Sequence, residues 1–221
     1  MSEISIILSE LKVLLRLLPQ YADGKAVKVS SPGFLFPNYA KYTFEPLTMG
    51  SKDRCANLVI GPFNYPIQLS LIPSIGSLAA GNPTILKPSE MCPETSRVMK
   101  ALVDRYYSET NALQVVEGGV DVTTLLLKHS WGKIFFTGST RVGKIVATAA
   151  AQTLTPTVLE LGGKSPVYID KNTPNMRYMV DRIMWGKTLN AGQTCVAPDY
   201  ILCHHSVMDS FCNELVNALE R

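Results

Sequence analysis

A chain of 221 residues and 24.2 kDa suits one domain of ordinary size, or one domain and part of a second. Its residues are 46% hydrophobic and 18% charged, with a mean hydropathy of +0.11, which is enough apolar surface to bury a core and too little charge for intrinsic disorder. Twenty-one basic and eighteen acidic residues leave a net charge of +3 with no Lys/Arg block, so nothing points to nucleic-acid or polybasic membrane binding.

The N-terminus opens Met1-Ser2-Glu3, an acid where a signal peptide carries positive charge, and Glu10, Lys12 and Arg16 interrupt the apolar stretch that follows. Ile4, Leu8, Leu11, Leu15 and Leu18 recur at steps of four and three, which predicts an amphipathic, core-facing helix ending before Pro19. No apolar run is long enough to span a membrane. Residues 20 to 55 scatter Gly24, Pro32, Gly33, Pro37, Pro46 and Gly50 among polar and aromatic residues and read as an irregular connector with short extended pieces.

From Leu58 onward, β-prone runs at Leu58–Ile60, Thr84–Leu86, Leu113–Val116, Lys133–Phe136 and Thr157–Leu159 alternate with helical stretches near 67–80, 94–107, 121–129 and 141–152. Such alternation predicts an α/β fold with a parallel sheet and right-handed crossovers. After Gly162-Gly163, a strand at Val167–Ile169, a helix near 175–190, a strand at Tyr200–Cys203 and a helix from about 207 look like a second domain beginning. The expected division is 1–55 for the N-terminal helix and connector, 56–163 for the parallel-sheet domain, and 164–221 for the start of a second domain.

Several segments put glycine or a polar residue where a predicted strand ends, the place where open α/β sheets bind ligands. Asn64, in Gly61-Pro62-Phe63-Asn64-Tyr65-Pro66, is a turn residue or an amide donor for an oxyanion. Lys87 and Glu90, in Leu86-Lys87-Pro88-Ser89-Glu90, are solvated loop charges or partners for ribose hydroxyls. The turn Gly138-Ser139-Thr140-Arg141-Val142-Gly143-Lys144 could offer amides and a helix N-terminus to a phosphate, or simply cap a helix. It matches G-x-x-x-x-G-K, but Ile145 stands where a magnesium-binding Ser or Thr is needed.

Glu160 precedes Leu161-Gly162-Gly163-Lys164, and Cys195 follows Gly192-Gln193-Thr194, a combination that could supply a base and a nucleophile. A lone cysteine also serves as a small buried hydrophobe, and no histidine lies near Cys195 in sequence. The cysteines at 55, 92, 195, 203 and 212 are odd in number with no C-x-x-C pair, which favours a reducing compartment. With histidine only at 129, 204 and 205, no metal-ligand spacing emerges, and no structural zinc is expected.

Asn64 in its Pro-Phe-Asn-Tyr-Pro context, Lys87 before Pro-Ser-Glu, the Gly138–Gly143 turn, Glu160 before Leu-Gly-Gly-Lys, and Cys195 follow one another in an order that resembles the aldehyde dehydrogenase superfamily. Gly192-Gln193-Thr194-Cys195-Val196-Ala197-Pro198-Asp199-Tyr200 is most similar to its class 3 and fatty aldehyde branch. The resemblance implies a Rossmann-like doubly wound sheet joined to the start of an α/β catalytic domain. It also implies NAD- or NADP-dependent oxidation of an aldehyde, medium- or long-chain by branch, to a carboxylic acid.

By that resemblance, Cys195 is the thiolate nucleophile, Asn64 and the Cys195 amide hold the oxyanion, and Glu160 is the general base. Lys87 and Glu90 hold the adenosine ribose, while Gly138, Ser139, Thr140, Arg141, Val142 and Gly143 face the pyrophosphate. Family members are longer chains, so the Glu-x-Phe motif, the aldehyde-tunnel walls and the hairpin through which homodimers pair are expected to have no counterpart here. Thr48–Ala56 is expected to be an insertion ahead of the first core strand. A fragment that binds nucleotide without turnover is the alternative, and the cytoplasm is the favoured compartment, with a membrane-associated form implied only by branch.

Overall fold

The computed structural model describes residues 3–22, 25–28, 39–42, 48–49, 53–54 and 56–220. In chain order these form α1 (Glu3–Ala22), β1 (Lys25–Lys28), β2 (Tyr39–Tyr42), β3 (Thr48–Met49), β4 (Asp53–Arg54), β5 (Asn57–Ile60), α2 (Gln68–Ala79), β6 (Thr84–Lys87) and α3 (Pro93–Tyr107). Then come β7 (Leu113–Val115), α4 (Val120–Leu126), β8 (Ile134–Gly138), α5 (Thr140–Gln152), β9 (Thr157–Leu161), β10 (Ser165–Ile169), α6 (Met176–Thr188), β11 (Pro198–Cys203) and α7 (Met208–Glu220). Two units make up the chain, Met1–Glu160 and Leu161–Arg221.

Unit 1 is built on a five-stranded sheet of order β7-β6-β5-β8-β9, and the β5–β6, β5–β8 and β6–β7 pairs are parallel. All four residues of β5 are buried. Val59 points one way into a core with Leu86, Met99, Val103, Leu113 and Val115, while the alternating neighbours Leu58 and Ile60 are buried on the other side. Such a strand, covered on both faces, reads as a continuous apolar run, which is how parallel strands appear in α/β proteins.

Helix α2 meets this sheet through small polar residues. Ser70 and Ser74 are fully buried, and Ser77 Oγ accepts bonds from Asn57 Nδ2 at 2.9 Å and from Thr84 Oγ1 at 2.7 Å. Gly61 has to be glycine at this approach, because a Cβ there would collide with the Ser70 hydroxyl.

Helix α1 departs from its sequence reading in two respects. It runs through Pro19 to Ala22, since a proline in the last turn costs one backbone bond rather than breaking the helix centre. Its packed face is also shifted: Ile7 is buried, Leu11 and Leu18 of the expected stripe are half-buried, and Ile4, Leu8 and Leu15 are exposed. Ile6, Ile7, Leu14 and Leu17 join Leu11 and Leu18 in a packed face that satisfies the same period, and α1 packs against α2.

In unit 2, β10 and β11 pair in parallel, and α6 and α7 cover one face around Ile169, Val180 and Phe211. The remaining elements lie within a few residues of their expected positions, with α4 ending earlier, at Leu126 rather than near 129. Of the insertion expected at Thr48–Ala56, the antiparallel pair β3–β4 and Ala56 are described, and the rest lies outside the described residues, as does most of the connector.

Candidate functional site

Strand order in unit 1 reverses direction between β5 and β8, and ligands of open α/β sheets bind outside the carboxyl ends of the strands at such a switch point. Two of the sequence-predicted segments follow these two strands directly: the Gly61–Pro66 loop with half-buried Asn64 after β5, and the Gly138–Gly143 turn after β8. Lys87 closes β6, the neighbour of β5, and Glu160 is the exposed penultimate residue of β9, the neighbour of β8. The strand thus continues past Leu159, and Glu160 belongs to it rather than following it. One edge of one sheet therefore carries every sequence-predicted site residue except Cys195.

Lys87 is only 3% exposed, and its Nζ donates to Glu90 Oε2 at 2.6 Å. A lysine ammonium is rarely buried without a partner. Glu90 lies half-exposed on the following loop, and the Lys87 hydrogen bond, with its own backbone amide, holds its carboxyl below the usual carboxylate range. The reading of both residues as solvated loop charges is therefore wrong for Lys87, which is not on the loop but is the last residue of β6, an interior strand of the sheet, and is buried there with Glu90 as its partner.

The turn after β8 performs the capping role left open in the sequence. Ser139 has an extended backbone, its Oγ accepts from the Val142 amide at 3.3 Å, and its carbonyl accepts from the Gly143 amide at 2.8 Å. By the geometry of any helix start, the Thr140 and Arg141 amides have no intrahelical acceptor. Thr137, just before the turn, has a buried hydroxyl oxygen with no hydrogen-bond partner. Gly138 passes over the Phe136 ring, and a Cβ there would stand 2.5 Å from Phe136 Cζ.

Neighbouring substitutions should consequently shift stability in opposite directions. Gly138→Ala forces the buried Phe136 ring to move and is expected to cost about 1–3 kcal/mol. Thr137→Val removes an unsatisfied hydroxyl and is expected to gain about 1 kcal/mol. Urea unfolding of each variant checks both, and a stabilised Gly138→Ala would contradict the packing.

Cys195 lies exposed in unit 2, between α6 and β11. Three consecutive residues before it adopt left-handed backbone: Asn190 (φ 53°), Ala191 (φ 54°) and Gly192 (φ 77°). Reciprocal bonds close this turn, with the Gln193 amide and Gln193 Nε2 both donating to the Asn190 carbonyl at 3.0 and 3.1 Å, and Asn190 Nδ2 reaching the Gln193 carbonyl at 3.5 Å. A left-handed Ala costs roughly 1–2 kcal/mol, and conformations of this kind gather at functional sites. Backbone at Gly163 passes close by, so that a Cβ there would lie 3.4 Å from the Cys195 carbonyl oxygen. Beyond the cysteine, Lys164 and Lys187 converge on Asp199 at 3.3 and 3.9 Å.

Three features escaped the sequence reading: the orphan hydroxyl of Thr137, the left-handed pair Asn190-Ala191, and a bond from Glu3 to the start of α2. Two carried part of a signal: Asn190 is a type that tolerates left-handed backbone, and the residue before α2 is Ile67, which cannot cap a helix. Among the described residues, no group of three His, Cys, Asp or Glu could hold a metal ion, and no helix is long and apolar enough to cross a membrane.

Residues 55–221 match the aldehyde dehydrogenase family. Over 220 residues the chain is 44% identical to a Staphylococcus aureus protein named 4,4'-diaponeurosporen-aldehyde dehydrogenase, covering 100% of this chain and 45% of that one. It is 42% identical over 218 residues to a Rattus norvegicus protein named aldehyde dehydrogenase, dimeric NADP-preferring, covering 99% and 46%. A solved structure of Staphylococcus aureus AldH in a substrate-bound state is similar with a TM-score of 0.86 and 42% identity, again over 99% of this chain and 45% of that chain. The chain spans less than half the length of these relatives.

Proposed function

Because this chain belongs to the aldehyde dehydrogenase family, we propose that it carries the cofactor-binding and nucleophile-bearing parts of an NAD(P)-dependent oxidation of an aldehyde to a carboxylic acid. The observation that carries the reading is the convergence of the Asn64 loop, Lys87, the Gly138 turn and Glu160 on one carboxyl edge of one sheet, with the switch point between them. Residues 56–163 are assigned to cofactor binding and 164–221 to the start of the catalytic part.

Unit 1 fits a dinucleotide in its chemistry. The first amides of α5 and the orphan Thr137 hydroxyl suit a pyrophosphate, and the buried Lys87–Glu90 pair suits ribose hydroxyls. NAD(P), when bound, would supply the hydride acceptor for the oxidation. Cys195 attacks the aldehyde carbonyl as a thiolate to form a thiohemiacetal, whose oxyanion accepts from the Asn64 side-chain amide and the Cys195 backbone amide. After oxidation a thioester remains on Cys195. Glu160 takes the proton of a water that attacks it, releasing the acid and the free thiol, which requires a carboxylate within one water of the acyl carbon. The aldehyde is medium- or long-chain aliphatic.

Calorimetric titration with NAD and NADP, paired with reduced-cofactor absorbance on a medium-chain aldehyde, tests this reading. Binding and turnover are expected, with turnover lost in Cys195→Ala. Binding without turnover would reduce the chain to a nucleotide-binding module, and absence of binding would refute the assignment of unit 1.

A further inference from the structure

Helix α2 begins without help from its own sequence. The position that should cap it is Ile67, whose side chain offers no acceptor. The acceptor comes instead from 64 residues earlier: one oxygen of Glu3, Oε2, takes the Ile67 amide at 3.0 Å and the Gln68 amide at 2.7 Å. A carboxylate here satisfies two orphan donors by charge-assisted bonds and complements the positive end of the helix dipole. Glu3 is itself held in place, because Ile7, one turn further along α1, is buried where α1 packs on α2.

The segment between the end of β5 and the start of α2 is the loop that carries Asn64. At its first residue, the Gly61 amide donates to the Lys87 carbonyl at 2.9 Å. In its middle, the Cys92 thiol donates to the Phe63 carbonyl at 3.4 Å. Its last residue is tied by Glu3. Two of these ties come from the sheet and its next loop and the third from α1, while the Tyr65 carbonyl, next to Asn64, accepts from the Leu69 amide at 3.0 Å and joins the loop to the first turn of α2, the turn that Glu3 holds. Asn64 lies between the second and the third.

We propose that Glu3 is a positioning residue for Asn64: by holding the Ile67 and Gln68 amides it fixes the end of the loop that sets where the Asn64 amide points. This rests on the reading of Asn64 as an oxyanion donor. Removal of such a donor costs about 10²–10³ in rate, and small misplacements of a catalytic group are costly as well. Loss of Glu3 should therefore act on the reaction through Asn64 and not through cofactor binding.

The test uses hydrolysis of p-nitrophenyl acetate by the full chain, which needs Cys195 and oxyanion stabilisation but no hydride acceptor. It is combined with hydrogen exchange at the Ile67 and Gln68 amides. Asn64→Ala should lower ester turnover about 10²–10³-fold, and Glu3→Ala about tenfold, with KM little changed. Added to Asn64→Ala, Glu3→Ala should have no further effect. Exchange at Ile67 and Gln68 should quicken in Glu3→Ala and in the milder Glu3→Gln, and should not change in Glu10→Gln, a substitution at an exposed acid of the same helix. A Glu3→Ala effect that is absent, or that adds fully to that of Asn64→Ala, overturns the proposal. Asn64→Ala without effect overturns the oxyanion reading itself, so the two failures are told apart.

Discussion

Cys195→Ala is expected to lower aldehyde-dependent reduction of NAD(P) by about four to six orders of magnitude, the range seen when the nucleophile of a coupled catalytic group is removed. The loss should fall on kcat, because the motifs proposed to bind cofactor belong to unit 1 and Cys195 to unit 2. Stability should stay within about 0.5 kcal/mol of the parent, since the side chain is exposed and makes no core contact. Cofactor calorimetry and a urea melt on the same preparation separate these outcomes. Undiminished turnover in Cys195→Ala would remove the cysteine from the chemistry, whereas lost cofactor binding would mean that the substitution disturbed more than the nucleophile.

The second large effect concerns the Lys87–Glu90 pair. Glu90→Ala strands a buried ammonium without its carboxylate. Breaking a fully buried pair costs about 3–5 kcal/mol, and because Glu90 is half-exposed to screening solvent we expect about 1–2 kcal/mol here. Lys87→Met is the informative contrast, since it removes the buried charge and leaves a carboxylate that water can solvate. It should be nearly neutral for stability, yet weaken NAD(P) binding about tenfold to a hundredfold through the loss of the charged hydrogen bond proposed to the ribose.

Acid should reveal the same pair. Glu90 is held below its ordinary range chiefly by the Lys87 hydrogen bond, so its contribution is complete above the unfolded carboxylate value. That contribution shrinks as pH drops past the unfolded value and is gone below the lowered folded value. The stability gap between the parent and Glu90→Gln should therefore be constant near neutrality and close in acid. A gap that widens on acidification would contradict the ion pair.

Much of the sheet is legible in the sequence because parallel strands buried on both faces leave compact β-prone runs between helical stretches, as at Leu58–Ile60 and Ile134–Phe136. The motif residues at the carboxyl edge are legible for a related reason: a strand that ends in glycine, proline or a polar residue announces its own turn. The packed face of α1 is legible only in part, because two overlapping apolar stripes that share Leu11 and Leu18 fit one period. Burial of Lys87 runs against the habit of its residue type and depends on the Glu90 loop folding back. The left-handed Ala191 carries no residue signal either, since Asn190 and Gly192 are types that adopt such a backbone and alanine is not. The tie from Glu3 to Gln68 is legible from one side only: Ile67 shows that α2 lacks a cap of its own, but nothing in the sequence says which distant residue supplies it.

The division of the chain into two units decides how its unfolding can be followed. Each unit has its own core, around Val59 and Leu86 in one and around Ile169 and Phe211 in the other, so a single transition temperature need not describe both. The two tryptophans happen to be shared out one to each: Trp131 is buried in unit 1, with its indole donating to the Leu126 carbonyl at 2.8 Å, and Trp185 is 67% exposed in unit 2. Their fluorescence emission therefore differs at the start, blue-shifted for the first and red-shifted for the second. A Trp185→Phe protein would make intrinsic fluorescence a private reporter of the five-stranded sheet, and the Gly138, Thr137 and Glu90 substitutions could be read there without interference from the segment that bears the cysteine.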